Sequence, residues 1–169
     1  MFAGMKLNMI VAVDKNTKGI GFNGKIPWRC PDDMKFFREM TVGNICICGY
    51  KTFKDMPVLN RRTVIPVSKD GRGSSFTLDE LESELGFANA FNNSTTEGNL
   101  FLIGGAELYL KFLKDGAVDT VYLSEIEFKN KDHEYDAFLD YSFNEFDKEE
   151  IRSISTEDYE LKIYKLSLK

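Results

Sequence analysis

Residues 26–37 have the sequence IPWRCPDDMKFF, and this stretch predicts a loop that runs directly into a helix. Its two prolines fix the backbone φ angle and remove N–H donors, so the chain stays extended through Trp28. Pro31 suits the first turn of a helix, where the helix dipole also favours the negative charges of Asp32 and Asp33. The apolar residues that follow give this helix a hydrophobic stripe.

The two aspartates allow two interpretations. The first is that Asp32 and Asp33 only cap the helix. The second is that one of them lies beside the apolar stripe, where loss of water tunes the pKa of the carboxyl group for acid chemistry. The dipeptide alone does not decide between them.

Composition limits the class of protein. A chain of 169 residues with 43% hydrophobic residues fits one globular domain over residues 1–169. The net charge of −5, with 22 scattered Lys and Arg residues, argues against a nucleic-acid surface. The sequence contains no apolar run that would span a membrane and no heptad pattern, so we expect a cytoplasmic monomer. Cys30, Cys46 and Cys48 lack the spacing of metal ligands, so we expect no metal site.

Strand and helix patterns alternate along most of the chain. Five apolar segments predict buried strands, at residues 7–13, 44–49, 61–68, 100–103 and 118–126. Two alternating segments, 151–154 and 159–168, predict an antiparallel hairpin. The pattern therefore predicts an α/β fold, a three-layer sandwich whose central sheet has about eight mostly parallel strands, an antiparallel C-terminal edge and about four flanking helices.

Local signals refine this assignment. Pro66 inside the third strand requires a bulge or an unpaired side. Thr77 and Glu80 form a capping box at the start of a helix, and residues 87–99 read as a loop. His133 lies between two acidic residues, so we expect it to be solvated and not catalytic.

Ligands in such sheets bind beyond the carboxyl ends of the strands. Two of these ends, at residues 49–52 and 104–107, are strand–Gly–helix junctions of the kind that binds phosphate, although glycines there also serve as simple turns. Neither contains a P-loop or a GxGxxG motif. A third end leads into the glycine-rich segment 14–25, which is either a mobile lid or a mere connection.

Taken in order, these pieces resemble dihydrofolate reductase over nearly the whole chain. The matching segments are residues 10–13, 19–24, 26–28, 31–33, 49–53, 62, 103–109 and 122–124. The resemblance implies NADPH-dependent reduction of 7,8-dihydrofolate to tetrahydrofolate, by hydride transfer to C6 and protonation at N5. Residues 21–26 would then be the closing lid, and the bond between Gly104 and Gly105 is expected to be cis.

The resemblance also implies roles for individual residues. Asp33 matches the active-site acid, and Trp28 and Ser124 would act beside it. The residues expected to bind the substrate are Ile10, Val11, Met34, Phe37, Met56, Leu59, Arg62 and Ile103, with Arg62 on the α-carboxylate of the glutamate tail. The residues expected to bind NADPH are Ala12, Ile20, Gly21, Gly49, Lys51, Thr52, Ser68, Lys69, Gly104, Gly105, Ala106, Glu107, Leu108 and Tyr109.

The chain departs from the family pattern at several positions. Ser124 stands where a threonine is usual, and the loop between residues 14 and 19 is slightly longer than the common form. Tyr50 and Glu107 each stand where some relatives have an arginine for the 2′-phosphate of NADPH. Lys51, Ser68 and Lys69 could bind that phosphate instead.

Two other functions compete with this one. A reductase of the same fold acts on a ribosylated pyrimidine in riboflavin synthesis, but it does not need a carboxylate after Pro-Trp, so Asp33 argues against it. A non-catalytic nucleotide-binding or assembly protein would fit Tyr50 and Glu107. The joint presence of Trp28, Asp33, Thr52 and Arg62 argues against that reading.

Overall fold

The computed structural model describes residues 1–91 and 100–169. Its strands are β1 Leu7–Asp14, β2 Gly19–Gly21, β3 Ile45–Gly49, β4 Thr63–Val67, β5 Leu100–Gly104, β6 Thr120–Phe128, β7 Ala137–Phe138, β8 Phe146–Ser155 and β9 Tyr159–Leu168. Its helices are α1 Pro31–Thr41, α2 Tyr50–Asp55, α3 Leu78–Phe91 and α4 Ala106–Lys114.

The main sheet has seven strands in the order β4-β3-β5-β1-β6-β9-β8. The first five are parallel, whereas β9 runs antiparallel to β6 and β8 antiparallel to β9. The predicted α/β class and antiparallel C-terminal edge are therefore confirmed. The short, glycine-containing β2 does not join this sheet and instead pairs with β7 in a separate two-stranded sheet.

Two hydrophobic clusters cover the two faces of the sheet. One, here called the α3–α4 cluster, includes Leu81 of α3 and Phe112 of α4. The other, here called the α1 cluster, includes Phe36 of α1 together with Phe101 and Leu161 of the sheet. Because side chains alternate along a strand, neighbouring residues of one strand belong to different clusters.

Several local predictions can be compared with the structure. Pro66 lies in β4, an edge strand, as its missing N–H requires. The Thr77 hydroxyl accepts a hydrogen bond from the Glu80 backbone N–H at 3.2 Å, which confirms the capping box. The loop predicted from residue 87 is wrong for residues 87–91, where α3 continues through a run containing two alanines, good helix formers. Residues 92–99 of that loop lie outside the described residues.

None of the helices in the described residues combines the length and the apolar character that crossing a membrane requires.

Candidate active site

The first turn of α1 brings Asp33 against the middle of the sheet. Ser124 of β6, which is paired with Ala12 of β1, is 1% exposed. Its hydroxyl donates a hydrogen bond of 2.6 Å to Oδ1 of Asp33. Burial raises the pKa of the Asp33 carboxyl above its usual range, and the bond from Ser124 opposes this rise. The structure thus brings together the acid and the hydroxyl that the sequence analysis paired.

Apolar side chains surround this acid. Five of the residues expected near the substrate and nicotinamide belong to the α1 cluster, namely Ile10, Ala12, Trp28, Phe37 and Ile103. The Trp28 ring also lies 5.6 Å from the ring of Phe128 and 5.9 Å from that of Tyr135. The surroundings of Asp33 therefore combine one carboxyl group with a hydrophobic wall.

Not every predicted substrate residue joins this wall. The side chain of Val11 packs in the α3–α4 cluster, on the opposite face of the sheet from Ile10, and its expected role in substrate binding stays a prediction. Met34 follows Asp33 on α1 but is 67% exposed, because successive helix residues point about 100° apart. Met56 and Leu59 are half-buried just after α2.

Arg62 lies just before β4, beside the C-terminal end of α1. Its Nε donates to the carbonyl of Asn60 at 2.9 Å, and Nη1 lies 3.4 Å from the hydroxyl of Thr41, the last residue of α1. The guanidinium is half-buried, and further N–H groups remain for a ligand. This arrangement orients the planar fork, as a residue that binds a carboxylate requires.

Two strand–glycine–helix junctions meet at one corner, here called the two-glycine corner, which consists of residues 49–52 and 104–107. The Gly104–Gly105 peptide bond is cis, as expected. A Cβ atom on Gly105 would lie 3.1 Å from the hydroxyl oxygen of Thr52, and one on Gly49 would lie 3.9 Å from the Gly105 nitrogen. The two junctions therefore approach each other too closely for a side chain at residue 105 to fit without displacing Thr52.

The helix starts at this corner are not capped by side chains. Gly49 precedes α2 and Gly105 precedes α4, and neither N-cap has a side-chain hydrogen bond. The first-turn N–H groups of α4, which belong to Ala106, Glu107 and Leu108, are thus available to an anion. The Glu107 side chain is exposed.

Tyr109 connects this corner to β1. Its hydroxyl donates to the Ile10 carbonyl at 2.8 Å. A Cβ atom on Gly104 would lie 3.6 Å from the Tyr109 hydroxyl oxygen. Burial, and then the nearby charge of Asp33, raise the pKa of the phenol far above its usual range. Tyr109 is therefore a neutral group that holds α4 against the strand next to the acid.

The residues predicted to bind the 2′-phosphate differ in how accessible their polar groups are. Lys51 and Lys69 are exposed. The Ser68 hydroxyl is instead engaged within its own loop, 2.6 Å from the Ser75 hydroxyl and 3.1 Å from the Arg72 backbone nitrogen. Arg72, a basic residue between two glycines after β4, is also exposed, and its Nε forms an ion pair with Asp70 Oδ1 at 3.0 Å.

The residues expected to form the lid are hydrogen-bonded to the loop between β6 and β7. The Gly21 carbonyl accepts a hydrogen bond of 3.0 Å from the Asp136 N–H, and the Asp136 carboxylate accepts one of 3.0 Å from the Asn23 N–H. Ile20 packs against the α3–α4 cluster. Tyr135 completes this connection, because its hydroxyl donates to the Asp14 carboxylate at 2.5 Å.

Two findings were not anticipated from the sequence. His133 is half-buried rather than solvated, since its ring lies 4.5 Å from that of Phe128, and burial lowers the pKa of its imidazole. Tyr159 is buried and donates a hydrogen bond from its hydroxyl to the carboxylate of Asp32. The partners in this second bond are 127 residues apart, so no local pattern could reveal it.

Comparisons with known proteins agree with this geometry. A family model described as dihydrofolate reductase matches residues 6–167. Dihydrofolate reductase type 9 of Escherichia coli is 34% identical over 140 residues, covering 79% of this chain and 77% of that protein. A bifunctional dihydrofolate reductase-thymidylate synthase of Daucus carota is 30% identical over 136 residues, which are 70% of this chain and 26% of that protein.

A solved structure has the same fold. It is a dihydrofolate reductase from Enterococcus faecalis complexed with NADP(H) and RAB-propyl, with a TM-score of 0.76 and 24% identity. The alignment covers 99% of this chain and 98% of that one. The family match over residues 6–167, together with the relative at 34% identity, establishes that this chain belongs to the dihydrofolate reductase family.

Proposed function

We propose that this enzyme reduces 7,8-dihydrofolate to 5,6,7,8-tetrahydrofolate with NADPH and that Asp33 is its acid. The reaction is that of the family to which the chain belongs. The observation that carries the assignment of the acid is the position of Asp33, a carboxyl group with a raised pKa that accepts the Ser124 hydroxyl beside an apolar wall. Such a group is suited to bind a heterocycle and to favour its protonation.

The pterin ring presents an amino group and a ring N–H side by side, which one carboxylate binds in a bidentate manner. Ser124 occupies one lone pair of Asp33 Oδ1, so the other lone pairs are left for the substrate. A carboxylate bound to the pterin would stabilise positive charge on the ring and so favour protonation at N5. Trp28 lines the path by which a water molecule would deliver that proton.

The apolar wall aligns the substrate. Ile10, Phe37 and Ile103 lie in one packed cluster with Trp28, so they form a rigid surface against which the planar ring rests. Arg62, oriented by Asn60 and Thr41, would bind the α-carboxylate of the glutamate tail. The exposed Met34 would be covered by the apolar part of that tail.

The two-glycine corner fits the dinucleotide. Thr52 and the N–H groups at the start of α4 would hold the pyrophosphate, and the absence of a side chain at Gly105 keeps these donors close together. NADPH, when bound, supplies the hydride that reduces C6. Tyr109 would flank the nicotinamide as a neutral ring fixed to β1.

We further propose that Lys51 and Lys69, with Arg72 from the same loop as Lys69, favour NADPH over NADH. All three side chains are exposed at the ends of β3 and β4, on the same edge of the sheet as the corner. Comparing the KM values for NADPH and NADH in the parent and in Lys51→Gln and Lys69→Gln tests this proposal. Equal weakening of both cofactors would contradict it.

We also propose a single-domain monomer that works in the cytoplasm without nucleic acid. The net charge of −5 and the scattered basic residues support the last point. Light scattering coupled to size-exclusion chromatography tests the monomer, and a mass of twice 19.3 kDa would contradict it.

The experiment for the main proposal follows NADPH consumption with dihydrofolate. We expect turnover in the parent and a loss of about 10²-fold or more in Asp33→Asn, with partial recovery at low pH, where N5 is protonated by solvent. Asp79→Asn removes the same charge from the first turn of α3 and should leave turnover unchanged. No turnover in the parent would remove the enzyme assignment, and full turnover in Asp33→Asn would remove the role of Asp33.

A further inference from the structure

The neighbour of the acid carries a hydrogen bond that the reaction does not explain. We propose that Tyr159 is a positioning residue for Asp33, which it acts on by holding Asp32 and thereby the first turn of α1. This inference rests on the proposed function, because it concerns the same acid. It assigns a role to a residue at the start of β9, far from α1 in the sequence.

The contacts of Tyr159 converge on the beginning of α1. The residue is 5% exposed, and its hydroxyl donates to Oδ2 of Asp32. The Cys30 thiol, on the N-cap residue of α1, is a near neighbour of the same hydroxyl. The Cys30 carbonyl in turn accepts the backbone N–H groups of Asp33 and Met34, each at 3.1 Å.

Two strands thus hold two adjacent carboxylates by separate hydroxyl groups. Ser124 of β6 holds Asp33, and Tyr159 of β9 holds Asp32. The two strands are neighbours in the sheet, and Tyr159 is paired with Phe128 of β6. Phe36 packs α1 into the α1 cluster, and the two bonds, at positions about 100° apart, orient its first turn. The direction of Asp33 therefore depends on the Tyr159 hydroxyl.

The hydrogen bond between Tyr159 and Asp32 depends on the phenol keeping its proton. The groups that face Asp32 here are the phenol of Tyr159 and the thiol of Cys30, and Asp33 is its neighbour in the chain. Burial raises the pKa of both Cys30 and Tyr159, so each keeps its proton at neutral pH. The Tyr159 phenol is therefore the donor in its hydrogen bond to Asp32.

The test removes the hydroxyl and keeps the ring. In Tyr159→Phe we expect kcat/KM for dihydrofolate to fall about tenfold, mainly through a higher KM, while the Kd for NADPH stays within about twofold of the parent. The apparent pKa of the kcat profile should rise, because a misplaced Asp33 loses part of the Ser124 hydrogen bond that lowers the pKa of its carboxyl group. Tyr122→Phe, which removes a phenol hydroxyl next to the same cluster, is the matched control and should change neither value.

A second variant separates position from charge. Asp32→Asn keeps an oxygen that accepts the Tyr159 hydroxyl, so its KM should remain near that of the parent. In the double variant Tyr159→Phe with Asp32→Asn, the raised KM and the shift of the pH profile should both persist, because both follow from the lost Tyr159 hydroxyl. A lower Tm in Tyr159→Phe with an unchanged KM and pH profile would show a merely structural role and overturn the proposal. Failure of the proposed function is distinguished by the parent, which would then not turn over dihydrofolate.

Discussion

The two halves of the candidate site are built from different parts of the chain. Around the acid, side chains contact side chains over long separations, 91 residues between Asp33 and Ser124 and 127 residues between Asp32 and Tyr159. At the two-glycine corner, the donors are backbone N–H groups at a helix start without a side-chain cap. Around the acid, the geometry depends on side-chain hydroxyl groups that hold the carboxylates. At the two-glycine corner, it depends on the lack of a side chain at Gly105.

This difference decides how each half responds to mutation. A polar side chain that has a buried partner leaves that partner unsatisfied when it is removed, so truncation is costly on the acid side. Backbone donors survive any substitution except proline, so truncation means little at the start of α4, whereas the Thr52 hydroxyl of the same corner is a side-chain donor. Adding a side chain there is costly instead, because the added atoms occupy the space between the two junctions. The informative mutations therefore remove atoms in one half and add them in the other.

The largest effect is expected from removing the partner of the acid. In Ser124→Ala, Asp33 loses a 2.6 Å hydrogen bond inside a buried site. A hydrogen bond to a charged group contributes about 1.5–3 kcal/mol, so kcat/KM for dihydrofolate should fall roughly 10- to 100-fold. Because this bond lowers the pKa of Asp33, its loss should move the apparent pKa of the rate profile upward. Steady-state kinetics across pH measure both values.

Ser124→Thr is the control for that change. It keeps the hydroxyl and adds the methyl group that relatives usually carry, so kcat/KM and the pH profile should stay near the parent values. A Ser124→Ala enzyme with parental kinetics would contradict the view that side chains build the acid side.

A smaller effect is expected from adding one carbon to the corner. In Gly105→Ala, the new Cβ would lie 3.1 Å from the Thr52 hydroxyl oxygen, so one of the two must move. We expect the Kd for NADPH to rise roughly five- to tenfold, with little change in dihydrofolate binding. Fluorescence titration of NADPH measures this directly.

Gly116→Ala is the matched control for the corner. Gly116 has a φ of 68° and a Cβ there would meet nothing within 4 Å, so the substitution costs stability through backbone strain alone. Its NADPH affinity should equal that of the parent. Parental NADPH binding in Gly105→Ala would mean that the close approach of the two junctions does not matter for the cofactor.

The same contrast explains what could be predicted from the sequence. The strand and helix pattern was predictable because burial on both faces of a parallel sheet leaves continuous apolar runs. Asp33 and the glycine junctions were recognisable because their neighbours in the chain, Pro31 and the strand ends, identify them. Local chemistry thus pointed to both halves of the site.

The remaining features depend on contacts between distant segments. The face of Val11 follows from the register of β1, which only the assembled sheet sets. The burial of His133 depends on Phe128, and the role of Tyr159 depends on the pairing of β9 with β6. Ser68 also looked free in the sequence, but its loop folds back so that Ser75 takes the hydroxyl. Each of these features depends on tertiary contacts, which the type of side chain does not determine.

The smallest effect is expected on the thermal stability of the folded protein when Asp33 is replaced by Asn. Burial raises the pKa of Asp33, so between the ordinary value of 3.8 and the raised value the folded protein holds more protons than the unfolded chain. Stability attributable to this group therefore falls as pH rises through that window, and the full cost remains at neutral pH. Asp33→Asn removes the ionisable group, so its Tm at pH 7 should exceed that of the parent, and the difference should vanish below pH 3.8.

Asp79→Asn, at an exposed helix start, should give no such gain because the negative charge of Asp79 interacts favourably with the helix dipole. Thermal unfolding across pH decides the matter, and a lower Tm for Asp33→Asn at pH 7 would mean that the bond from Ser124 outweighs the burial of the charge. A gain would instead identify the acid side as the half in which catalysis opposes stability, because its carboxyl group loses water on burial.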